Sequence, residues 1–222
     1  MPCNLPNAEA DGRFNVGAGG PRSYLNGIHP QLISGARHPT RLIVKQRLVS
    51  SINELDSLEA TIASAAHATA ERLARELSGS DALGAMARLK FAPTGCDPLD
   101  LERSLNFVEQ LNQSFTYLAS IEATRWLFRQ HPDHAPFILS LGTSPGSDIA
   151  SADGAVVAEV FAATHPDSNN KMRKDIQKVR ATTATHRYVF YLSPVPSTMR
   201  DDDVTIIWLS HVSLSGHTVP GA

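Results

Sequence analysis

One acidic residue inside an apolar run constrains this chain more than any other feature. Ala155–Ala163 reads AVVAEVFAA, a strand pattern with Glu159 at its centre. On a strand, Val157, Glu159, Phe161 and Ala163 share one face by the period of two. A carboxylate among apolar neighbours is costly unless it is paired, liganded or set at the rim of a cleft. Asp148 belongs to the preceding strand pattern, Ser147–Ser151, with ten residues between it and Glu159. Asp153-Gly154 supplies a hairpin signal between the two strands, so their carboxylates can converge. Two acids meeting this way make an oxygen-ligand site for a hard cation such as Mg2+. The competing arrangement has Asp148 capping a turn and Glu159 pairing with a lysine or arginine at a surface strand.

The rest of the chain frames this pair. Residues 1–39 are rich in Gly, Pro and Asn and predict an irregular arm. From about Thr40 to Leu77, Leu48, Ile52, Leu55, Leu58 and Ile62 recur at helical steps. Ser78-Gly79 closes that pattern. This helical extension, spanning 40–96, is expected to serve as a dimer interface. Asp97-Pro98 reads as the N-cap and first residue of a second long helix, which His131-Pro132 stops. The period then changes. Phe137–Leu141, Ser147–Ser151 and Ala155–Ala163 read as strands, Asn169 to about Ala181 as a helix, and Arg187–Leu192 and Val204–Leu209 as two more strands. On the helix from Asn169 to about Ala181, Met172, Ile176 and Val179 form the buried stripe. Lys171 and Lys178 flank it on one side, Arg173, Gln177 and Arg180 on the other, and Lys174 points away.

Composition narrows the partners. The net charge is −2, which disfavours a generic polycation. Its distribution is uneven: residues 168–222 carry seven Lys/Arg against four acids, and 51–167 carry seven against sixteen. Basic flanks beside an acidic centre suit a nucleic-acid groove next to a carboxylate cluster. No apolar run approaches the roughly 18–20 residues of a membrane span, so no membrane partner is expected. The opening MPCNLPNAEADGRF lacks a basic start and an apolar core, and Cys3 and Cys96 are too few for a disulfide framework. A cytoplasmic location is the expectation.

The element order and the motif PGSD-x10-EVF resemble the PD-(D/E)xK nuclease superfamily over about residues 100–210. The resemblance implies an α/β, restriction-endonuclease-like core (α-β-β-β-α-β) at 97–222 with a helical N-terminal extension. It also implies Mg2+-dependent cleavage of DNA, with Mn2+ able to substitute. Pro145 and Asp148 resemble the family's "P…D" element, and Glu159 resembles the acid of its second element. Glu122 resembles the acid of the first core helix, with Glu109 as the other candidate. Asp148, Glu159 and Glu122 would then hold the metal. A homodimer acting on duplex DNA fits the same resemblance.

One departure stands out. The family's lysine falls two residues after the acid, where this chain has Phe161. A phenyl ring can neither orient a water nor stabilise a leaving oxygen. Either the lysine has moved, with Lys171 the candidate, or the chain is an inactive nucleic-acid-binding or assembly subunit of the same fold. Arg173, Lys174, Lys178 and Arg180 are candidate phosphate contacts. Gly142–Gly146 matches G-x-S-x-G, but a strand pattern follows where a nucleophile elbow requires a helix. The nine histidines show no H-E-x-x-H or H-x-x-x-H spacing, so a zinc-hydrolase helix is not predicted.

Overall fold

The computed structural model describes residues 45–142, 146–214 and 217–220. The expected N-terminal arm, Cys3, Pro145 and the centre of the G-x-S-x-G match lie outside them. Strand β1 (Lys45–Val49) leads into helix α1 (Ile52–Leu77) and the shorter α2 (Ala82–Phe91). A hairpin of β2 (Gly95–Asp97) and β3 (Asp100–Leu105) precedes helix α3 (Phe107–Gln130). Then come β4 (Phe137–Leu141), β5 (Ile149–Ser151), β6 (Val156–Ala162), helix α4 (Lys171–Arg180), β7 (His186–Leu192) and β8 (Thr205–Leu209). A last hairpin joins β9 (His211–Leu214) to β10 (His217–Pro220). The chain is a mixed α/β protein, and from α3 to β8 its elements follow the expected order.

Six strands form one mixed sheet in the order β1-β4-β5-β6-β7-β8. The first four pair antiparallel, and β6-β7 and β7-β8 pair parallel. A parallel pair needs a crossover, and α4 supplies the one between β6 and β7. The pleat sorts β6 onto two cores. Val156, Ala158 and Val160 join Tyr117, Ile121 and Leu127 of α3 on one face. Val157 and Phe161 join Met172, Ile176 and Val179 of α4 on the other. Trp126 and Phe128 are partly buried against the α3 core, edge-on to Phe190 and Phe137 respectively.

Two helix starts differ from the sequence expectation. Lys45–Val49 is an edge strand on β4, with Val49 opposite Phe137, and the helix begins only at Ile52 behind the Ser51 cap. Residues 95–105 form a hairpin instead of the first turns of α3. Asp97 accepts the N–H of Leu99 across the Pro98 turn and an Arg103 guanidinium proton, so it shapes a turn and caps no helix. Asn106 is the true N-cap, closed reciprocally by Glu109 in a capping box. Leu101 and Leu105 satisfy both periods, because a four-residue step keeps one face in a strand as well as in a helix.

Helix α1 lies antiparallel along α3. Its buried stripe of Leu55, Glu59, Ile62, Ala65 and Thr69 faces that helix. Arg125 of α3 bridges Asp56 and Glu59 near one end, and Gln110 accepts a proton from Thr69 near the other. Of the helical pattern expected at a dimer interface, Leu55 and Ile62 are buried within the chain, whereas Leu48 and Ile52 are exposed. Ile62 is fully buried in this contact. Ile62→Ala is expected to lower unfolding free energy by about 2–5 kcal/mol in urea melts. A loss under about 0.5 kcal/mol, the level of an ordinary surface change, would mean that α1 does not pack here.

Candidate functional site

The β5-β6 pairing brings Asp148 and Glu159 together. Ile149 stands opposite Ala158. Asp148 and Glu159, one step further along each strand, meet just beyond that rung. The Asp148 N–H donates to Glu159 Oε1 at 3.3 Å, and Asp148 Oδ2 accepts the Val160 N–H at 2.8 Å. Glu159 is 1 % exposed and faces α4 between Val157 and Phe161, as the period of two predicts.

Helix α4 delivers two ammonium groups to this acid cluster. Lys178 Nζ lies 2.6 Å from Glu159 Oε2, and Lys171 Nζ lies 2.5 Å from Asp175 Oδ1. Asp175 is 2 % exposed, and its Oδ2 is buried without a hydrogen-bond partner. Three carboxylates thus share the space between β5, β6 and α4 with two lysines. Burial, then the neighbouring Asp148 charge, pushes Glu159 up to about 7 despite Lys178. Burial also raises Asp175, although Lys171 opposes it. The enclosure holds more negative charge than its two lysines comfortably balance.

A cleft of about 480 Å3 opens beside the cluster at the C-terminal end of β6. Asp148, Lys171 and Lys174 line it, together with Tyr117 and Ser120 of α3. Asn169 and Asn170 adopt left-handed backbone at the mouth, where the chain turns into α4. Burial, with Asp97 nearby, pushes the Tyr117 hydroxyl up to about 12, so the cleft's phenol stays neutral.

The remaining predicted site residues divide sharply. Glu122 is not brought to the pair: it bonds Arg125 and Arg129 on α3, away from the cleft that Tyr117 and Ser120 line. Glu109 is occupied in the α3 capping box. Lys171 stands at the rim, but Lys178 is the lysine in contact with Glu159. Arg180 is drawn to Asp201 and Asp203, whereas Arg173 and Lys174 are exposed. Strand β5, and no helix, follows the G-x-S-x-G segment.

Sequence reasoning missed Asp175. Its signal was present: an acid directly beside Ile176, on the stripe that buries Met172 and Val179. It also missed a group of three imidazoles, His131, His134 and His186, of which the third lies far along the chain from the other two.

The raised Glu159 carboxyl has a defined pH signature. Its reference value is 4.5, and in the folded chain it keeps its proton up to about 7. Between those values the folded state binds more protons than the unfolded state, so stability falls as pH rises through that window. Above it both states are ionised and the penalty is constant. In metal-free buffer, the wild-type unfolding free energy minus that of Glu159→Gln is expected to fall from about pH 4.5 to about pH 7, then level off. Urea melts across the range measure it, and a difference that stays flat would refute a raised carboxyl.

Comparison with protein-family models, with curated proteins and with solved structures finds no match to this chain, so the site is interpreted from its own geometry.

Proposed function

We propose that this chain is a divalent-metal-dependent DNA endonuclease of the PD-(D/E)xK type, hydrolysing phosphodiester bonds. The observation that carries the reading is the contact between Asp148 and Glu159 on adjacent strands beside an open cleft. The order α3-β4-β5-β6-α4-β7 supports it, because it is the order of the restriction-endonuclease-like core. Restriction, phage defence and repair are all compatible roles.

The donor set fits a hard cation. Its groups are carboxylate oxygens, the ligands that Mg2+ prefers. The unpartnered Asp175 Oδ2 and the raised Glu159 carboxyl both mark a place short of positive charge. Asp148 and Glu159 would hold the ion, with Asp175 in the third position that Glu122 does not reach. Bound there, Mg2+ or Mn2+ supplies Lewis-acid polarisation of the scissile phosphate and acidifies a water.

The chain's own residues do the rest. Asp148 faces the cleft from a carboxylate fixed by the Val160 N–H, which presets its direction. Lys171 stands at the rim and screens charge that develops on the phosphoryl oxygens, in place of the lysine absent at Phe161. Lys178 favours the ionised form of Glu159 and holds its orientation. Lys174 in the cleft wall and Arg173 on the exposed side of α4 meet the phosphate backbone.

A second reading has its own observation. Both Glu159 oxygens already have protein partners, and Phe161 is packed against Tyr191 in the α4 core. A chain that kept the fold and closed its acid site with Lys178 would bind nucleic acid without cutting it. Nicking of supercoiled plasmid and cutting of single-stranded oligonucleotide with Mg2+ or Mn2+ separate the two. Asp148→Ala and Glu159→Ala are each expected to reduce cleavage by about 10²-fold or more, a loss typical of removing one charge-stabilising group. Lys171→Ala is expected to do the same if the lysine has moved there. A folded wild type that binds DNA and leaves the plasmid intact supports the binding subunit.

A further inference from the structure

The three imidazoles missed in the sequence gather at the other end of the sheet. His131 caps the C-terminus of α3, His134 ends the short 3-10 turn that follows, and His186 opens β7. One ring nitrogen from each lies within 4.8 Å of those of the other two, and all three residues are half-buried. The rings are not a stacked apolar cluster. His131 and His186 are tilted by 41° at 4.4 Å between centroids, and His134 is tilted against both.

One nitrogen of each of two of these rings is already held. His134 Nδ1 lies 2.7 Å from Asp153 Oδ2, and His131 Nε2 lies 2.6 Å from the Tyr188 hydroxyl. Asp153 is itself fixed by the Ser151 hydroxyl and the Ala155 N–H. An imidazole that donates one N–H to a carboxylate or hydroxyl oxygen keeps a lone pair on its other nitrogen. Metal-ligating histidines are built this way, with an outer partner that sets tautomer and ring direction. In the tautomers that donate these N–H groups, the lone pairs lie on Nε2 of His134 and Nδ1 of His131. The backbone anchors the set too, because the His186 N–H donates to Ala155 O and the His134 N–H to His131 O.

From this geometry we infer that His131, His134 and His186 form a binding site for a divalent transition ion of the Zn2+ class, with the fourth position open to solvent. Neutral imidazole nitrogens suit Zn2+, Co2+ and Ni2+, and a hard cation such as Mg2+ prefers oxygen. Tetrahedral Zn2+ with Zn–N bonds of about 2.0–2.1 Å needs its nitrogens about 3.3 Å apart. The rings have only to close by about 1.5 Å to reach that spacing from the 4.8 Å limit. Three protein ligands and an exchangeable water is the coordination pattern of a reactive zinc centre rather than a closed structural one. The site shares no residue with the Asp148–Glu159 cluster and does not rest on the nuclease reading. It would also tie together the end of α3, the start of β7 and, through Asp153, the β5-β6 turn.

The full chain, stripped with EDTA and dialysed, provides the test. Isothermal titration with Zn2+ is expected to show one tight equivalent per chain that 10 mM Mg2+, used at roughly the concentration of a nuclease assay, does not displace. Co2+ is expected to give the visible absorption of a tetrahedral nitrogen site. His134→Ala and His186→Ala should each weaken Zn2+ about 10²-fold or more and abolish the Co2+ spectrum. Asp153→Asn, which leaves all three imidazoles in place, should weaken Zn2+ about 10–100-fold. Circular dichroism melts of the metal-free proteins guard the comparison. Should an alanine variant fail to fold, the Gln variant at the same position replaces it. Absence of stoichiometric binding by the wild type, or binding of unchanged affinity in both histidine variants, overturns the site.

Discussion

Burial of β6 on both faces sets the terms for its neighbours. A strand covered on both sides needs hydrogen-bonding partners at both edges and a helix over each face, which β5, β7, α3 and α4 supply. Glu159 lies at the centre of that strand, and an isolated ion there would cost several kcal/mol. Its partners therefore constrain the surrounding elements. The Asp148 amide fixes where β5 begins, and Lys178 fixes the rotation of α4 about its own axis. Once Lys178 points at Glu159, Lys171 and Asp175 follow on the same side, at i−7 and i−3. Helix α4 thus carries a Lys-Asp-Lys edge beside its Met172, Ile176 and Val179 stripe, and that edge completes the acid site.

This arrangement explains what the letters revealed and what they concealed. The three strands from Phe137 to Ala162 were legible because Asp153-Gly154 and the Gly142–Gly146 segment punctuate them. The phase of Glu159 was legible because alternation leaves only two choices. Asp148 and Glu159 could be paired from spacing alone, since a tight turn permits few registers. Helix boundaries fared worse where apolar residues recur every four positions, as at Leu101 and Leu105, because that step suits both periods. Asp175 was concealed because a single acid in a basic helix looks like half of a surface pair with Lys171. Only the packing of α4 on β6 shows that its carboxylate is inside. The histidine group was concealed for a topological reason: β7 follows β6 in parallel only after α4, so His186 meets His131 across more than fifty residues.

Phe161 is the point at which the resemblance and this chain part, and packing gives the reason. The residue two positions after Glu159 shares its face, beneath α4, where Met172 and Ile176 close the second core. The Phe161 ring lies nearly parallel to that of Tyr191 on the adjacent strand, at 5.9 Å and 21°. An ammonium there would replace the Phe161 ring and lose its packing with Met172, Ile176 and Tyr191. Delivering the cation from the helix avoids that cost, because Lys171 and Lys178 keep their stems against the protein and nearly half of each side chain in water.

Strand direction then separates two kinds of chemistry. In the parallel pair β6-β7, the C-terminal end of β6 opens on the cleft, and the N-terminal ends carry Val156 opposite His186. Oxygen donors collect at the first end and nitrogen donors at the second. The division is chemical as well as spatial: carboxylate oxygens are donors suited to hard cations, and imidazole nitrogens are donors suited to borderline ones. Were each group to take the ion proposed for it, the separation would give each ion a single donor chemistry, with geometry and metal availability completing the selection.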